Sequence, residues 1–105
     1  MRVEVKKEKD SVYVIVHTDS ISKVYKEYPR VNRWLNSLAA SLNKELGDKV
    51  FIVKGIRFRG VGEDNWVYIK IRTEEELMNR VVYDVMQKAE ELRRELSYIE
   101  ISFEV

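Results

Sequence analysis

The chain contains no cysteine, a single histidine (His17), a single proline (Pro29), four glycines and a single glutamine (Gln87). Without cysteine there are no disulfides, thiolate nucleophiles, zinc knuckles or iron–sulfur clusters, and one histidine leaves little from which to build a transition-metal cage. Scarce proline and glycine, beside 45% hydrophobic and 35% charged residues, exclude a disordered tail or a flexible linker. Charge of one sign is lacking too: 19 basic against 18 acidic residues leave a formal net charge of +1. No global field therefore steers the protein to nucleic acid or to a membrane, and any electrostatic reading has to be local. Apolar runs such as Val12 to Val16 fall far short of the roughly 20 residues of a membrane span. Met1 is followed by charged, alternating sequence rather than the apolar stretch of a signal peptide, so a cytoplasmic location is expected. Abundant Lys and Glu with almost no Gln or Cys is a bias shared with proteins from very hot environments.

What is present suits one soluble domain over residues 1–105, a length that buries roughly 65% of the extended chain's surface. Val3 and Val5 alternate with Arg2, Glu4 and Lys6, the period of a half-buried strand, and Val12 to His17 is a second strand with Val12, Val14 and Val16 on one face and Tyr13, Ile15 and His17 on the other. Asp19 or Ser20 is expected to cap a short helical segment that ends at Pro29. From Val31, the residues Trp34, Leu35, Leu38, Ala39, Leu42 and Leu46 form one helical stripe, with Gly47 at the expected C-terminal cap. Residues 50–59 and 65–72 read as a hairpin across Gly60 to Asp64. Thr73 and Glu76 have capping-box spacing at the head of a long helix, whose buried stripe includes Leu77, Val81, Val85 and Leu92. Ile99 to Val105 alternates as a last strand.

The resulting order is β, β, α, β, β, α, β, so the expected class is α+β: a two-layer sandwich with the βαββαβ order of a ferredoxin-like, split βαβ plait, preceded by an extra N-terminal strand. In that plait the Val12–His17 strand is central and cannot also pair in full with the first strand, which leaves a different strand order as the alternative.

One face of the sheet has nothing in the sequence to cover it. Alternation puts Trp66, Tyr68, Lys70 and Arg72 on that face, with Arg57 and Arg59 from the neighbouring strand and Tyr13, Ile15 and His17 from the second; Ile56 and Phe58 are expected to point inward. Flat side chains stack on bases while Arg and Lys pair with phosphates. Local charge agrees: residues 50–72 carry five basic against two acidic groups, whereas residues 73–105 carry four against nine. Val12 with Tyr13, and Trp66 with Tyr68, resemble the two aromatic signatures of the RNA recognition motif, which stacks bases on its sheet. Asn65 and Val67 stand where that motif has small glycines, so we read the likeness as shared physics. The expected function is a non-enzymatic module that binds single-stranded nucleic acid through Tyr13, Arg57, Arg59, Trp66, Tyr68, Lys70 and Arg72, with no cofactor or metal. The alternative is an assembly domain in which a second copy buries the same face.

Other constellations have ordinary explanations. His17, Asp19 and Ser20 are the residue types of a hydrolytic triad, but sequence adjacency does not supply its geometry, and strand-end and helix-cap roles explain them. Glu74, Glu75 and Glu76 suit the start of a helix dipole without a metal. Gly55, Gly60 and Gly62 lack phosphate-loop spacing, and Gly55 is read as a bulge.

Overall fold

The valine alternation at the N-terminus forms two strands, β1 (Arg2–Glu8) and β2 (Ser11–Thr18), joined by the two-residue turn Lys9–Asp10. They belong to a computed structural model that describes residues 1–105. Two helices follow, α1 (Ile21–Lys26) and α2 (Pro29–Leu46). Pro29 lies in the first turn of α2, where its missing N–H is of no consequence, so it starts this helix as well as separating it from α1. Gly47, at a φ of 56°, ends α2 and leads through a short 3₁₀ turn into β3 (Val50–Arg57). After β4 (Asn65–Thr73) come the long helix α3 (Glu75–Glu95) and β5 (Glu100–Glu104).

The architecture is α+β, an open, mixed five-stranded sheet in the order β3-β4-β2-β1-β5 with three helices. β1 pairs with β2 along its whole length, from Arg2 opposite His17 to Glu8 opposite Ser11. This overturns the expectation that β2, being central, lacks room for a full hairpin. The tight turn inserts β1 between β2 and β5, and β5 runs parallel to β1. In the expected plait the last strand would instead lie against β2, so the observed order departs from it by one inserted strand.

The helices cover one side of the sheet. Val3, Val5, Val12, Val14, Val16, Val67, Ile69 and Ile71 are fully buried there beneath Leu35, Leu38, Leu42, Val81, Val85 and Leu92. Each such side chain removes roughly 1.5–3 kcal/mol worth of apolar surface from water. Trp34, expected in the core, is half-buried at its margin, where its indole N–H donates to the Lys88 carbonyl (3.2 Å). No helix is long and apolar enough to cross a membrane.

Three local expectations are corrected. The Thr73–Glu76 capping box does not form. β4 runs on to Thr73, whose hydroxyl donates to the Lys49 carbonyl (2.9 Å), and Glu74 becomes the N-cap residue of α3 without a side-chain cap bond. Ser20 likewise precedes α1 without one. Gly55 is not a bulge, because the β3–β4 register runs unbroken from Val50 opposite Thr73 to Arg57 opposite Trp66.

Candidate functional site

The unbroken registers define the uncovered face residue by residue. Since Val67, Ile69 and Ile71 face the helices, the other side presents Phe51, Val53, Gly55 and Arg57 from β3 and Trp66, Tyr68, Lys70 and Arg72 from β4. β2 adds Tyr13, Ile15 and His17, β1 adds Arg2, Glu4, Lys6 and Glu8, and β5 adds Glu100, Ser102 and Glu104. The rings form a patch on the middle of the sheet. Trp66 meets Tyr68 edge to face (centroids 6.2 Å) and His17 likewise (5.7 Å), while Tyr13 and Tyr68 are tilted at 6.0 Å. Such contacts contribute about 0.5–1.5 kcal/mol beyond burial. They also leave Tyr13, Trp66 and Tyr68 half-buried against one another, and Ile15 among them is 0% exposed without belonging to the main core.

Cations cap the rings. The Arg57 guanidinium lies 4.5 Å from the Trp66 ring centroid, and Lys70 Nζ lies 5.6 Å from that of Tyr13. Arg72 extends toward Asp10 (3.3 Å) at the far end of the strand. Glycine at position 55 makes room for the patch: a Cβ there would stand 2.6 Å from the Tyr68 hydroxyl, whose ring occupies that space.

His17 is clasped rather than free. Its Nε2 is 2.9 Å from Glu4 and its Nδ1 2.8 Å from Asp64, which also accepts the Trp66 indole N–H (3.2 Å). Partial burial pushes the Asp64 carboxyl upward, but the hydrogen bonds from His17 and Trp66 outweigh it and hold the group below its ordinary value. Asp19 and Ser20 do not join His17: Asp19 pairs with Lys23, and the Ser20 and Ser22 hydroxyls bond each other. No group of three or more His, Cys, Asp or Glu side chains is placed to hold a metal ion.

Of the predicted residues, Tyr13, Arg57, Trp66, Tyr68, Lys70 and Arg72 do share one face. Arg59 does not sit on a strand, since β3 ends at Arg57, and it lies exposed in the connection to β4. Phe58 is corrected as well, from inward to 63% exposed in that connection. Ile56 faces the helix side opposite Val67 but is half exposed at the sheet edge. Lys54, counted among the basic residues of the hairpin, faces the helices. Its ammonium donates to Asn32 and Asn36 of α2 (2.8 Å each), and burial there pushes its pKa down.

Sequence reasoning missed Phe51, Glu4, Asp64 and Asn65. Buried Asn65 organises the β3–β4 connection, accepting from the Arg59 and Gly60 amides (2.7 and 3.3 Å) and donating to the Asp19, Gly60 and Glu63 carbonyls. The short polar turn after β1 was the available signal for Glu4, because a full hairpin sets β1 beside β2. Comparison of the chain with family models, with curated proteins and with solved structures finds no match.

Proposed function

We propose that the β3–β4 half of the uncovered face binds single-stranded nucleic acid, without catalysis. The observation that carries this reading is that these two strands hold no carboxylate at all, while their uncovered face alternates rings with Arg57, Lys70 and Arg72. Phosphates would pair with these three cations and with Arg59 beside them. Trp66 has its ring face occupied by Arg57, so a base continues that stack on the outer side of the guanidinium, a plane that accepts bases as an aromatic ring does. Phe51, 67% exposed on the same face, offers a free ring.

The test is titration of labelled single-stranded RNA and DNA at several salt concentrations. Four phosphate contacts at about 0.7 each give an expected log–log slope of about −3, and Lys70→Ala or Arg72→Ala should each flatten it by about 0.7. Phe51→Ala should weaken binding by about 1–3 kcal/mol for the base stacked on it, and Trp66→Ala, which removes the ring beneath the Arg57 guanidinium, should weaken it as well, both leaving the slope nearly unchanged because stacking releases no counterions. Folded protein that binds neither strand at low salt would refute the reading.

A further inference from the structure

The uncovered face is polarised. Strands β3 and β4 carry Arg57, Lys70 and Arg72 there with no acid of their own, Asp10 and Asp64 lying in the connections at the two ends, whereas the β1–β5 side carries Glu4, Glu8, Glu100 and Glu104 against Arg2 and Lys6. β2, with Tyr13, Ile15 and His17, lies between the two halves at the middle of the sheet. Of the two ways in which sheets pack face to face, near-orthogonal and aligned, the aligned one keeps the strands within about 30° of each other and lays one sheet squarely over the other. Only two kinds of twofold axis then lie in the interface plane. An axis across the strands sets each basic half on its own copy. An axis along β2 sets the basic half of each molecule on the acidic half of the other, with the aromatic centre on the aromatic centre.

From this layout we infer that a second copy of this chain covers the sheet through a twofold along β2, and that it competes with nucleic acid for the face. The competition rests on the binding reading above; the dimer does not. Area bears on its strength. Five strands at about 4.8 Å and about six residues at 3.3 Å make a footprint of roughly 24 by 20 Å, so two copies bury on the order of 1,000 Å². That is the lower bound of about 1,000 Å² for a specific interface, and it fits an equilibrium dimer that opens at low concentration. The twofold is isologous and closes at two copies, so no open-ended assembly follows.

Charge reversal tests the arrangement on exposed residues that leave the core untouched. Arg57→Glu with Arg72→Glu makes both halves acidic, and Glu100→Arg with Glu104→Arg makes both basic. Sedimentation from micromolar to millimolar protein should show a concentration-dependent wild-type dimer. Each doubly reversed variant alone should dimerise at least tenfold more weakly, and an equimolar mixture of the two should form a heterodimer at least as tight as the wild type. A wild type that stays monomeric at millimolar concentration would overturn the dimer, as would reversed variants that dimerise unchanged or a mixture that does not associate. Labelled single-stranded RNA added to the wild-type dimer should yield complexes containing one protein chain. RNA bound to an intact dimer would overturn the competition. A dimer with these charge responses that binds no RNA would remove the binding reading and leave the dimer, whereas a monomer that binds RNA would do the reverse.

Discussion

The two faces of β4 carry alternate residues of one strand and obey different rules. Toward the helices, Val67, Ile69 and Ile71 are 0% exposed, locked between neighbouring strands and two helices. On the other side Trp66, Tyr68 and Lys70 are half-buried and Arg72 is exposed, held by ring edges, capping cations and the Glu4–His17–Asp64 clasp. Apolar burial is non-directional and large, so it determines which way the strand faces; the pairwise contacts opposite are smaller and directional, so they set the surface that a ligand or second copy would meet. The largest expected effect breaks the covered side. Ile69→Ala should cost about 2–5 kcal/mol, as deletion of a fully enclosed side chain leaves a cavity, whereas Tyr68→Ala should cost less than about 2 kcal/mol. Urea unfolding followed by circular dichroism measures both, and equal losses would erase the distinction between the faces.

A smaller effect is expected where the hairpin closes. Asn65→Ala removes the acceptor for the Arg59 and Gly60 amides and the donor for three carbonyls. Leaving such buried groups unpaired costs about 1–3 kcal/mol. Hydrogen exchange should localise the damage to residues 58–64, where the Arg59 and Gly60 amides lose their acceptor, with the sheet core still protected. Loss of protection throughout β4 would show that Asn65 supports the sheet itself.

This contrast also explains what was legible in the sequence. The covered face is readable because its signal is periodic: Val12, Val14 and Val16 alternate with Tyr13, Ile15 and His17, as Val67, Ile69 and Ile71 do with Trp66, Tyr68, Lys70 and Arg72, and all six of these aliphatic residues are buried. Tyr13, Trp66, Tyr68, Lys70 and Arg72 then followed as their complement. Strand order was not readable, since alternation says which way a strand faces and nothing about its neighbour. Placing β1 beside β2 brings Glu4 to His17, and placing β5 beside β1 adds Glu100 and Glu104, so a face expected to be basic and aromatic is basic on one half only. Phe58 and Arg59 failed for another reason. Alternation carries no information past the last ladder pair, and β3 stops at Arg57 as the chain turns toward Gly60, which adopts a φ of 141°.

The smallest expected effect belongs to Asp64 and sharpens the account of the uncovered face. The clasp holds this carboxyl below its ordinary value of 3.8, so it is more acidic folded than unfolded. Its contribution to stability is therefore fully present above the unfolded value and is lost as pH falls through the folded one. The side chain is half exposed, so solvent keeps that contribution at or below about 1 kcal/mol, and a spectroscopic readout is more decisive than a melting curve. Because the Trp66 indole N–H donates to Asp64, its resonance, identified by its loss in Trp66→Phe, should shift with a midpoint below 3.8 in acid titration of the folded protein. In Asp64→Asn the acid-range shift should vanish while the sheet's amide resonances stay in place. A midpoint at or above 3.8 would mean that the hydrogen bonds from His17 and Trp66 do not outweigh burial, and that the end of the aromatic patch is held by ring packing, Arg57 and the Glu4–His17 contact.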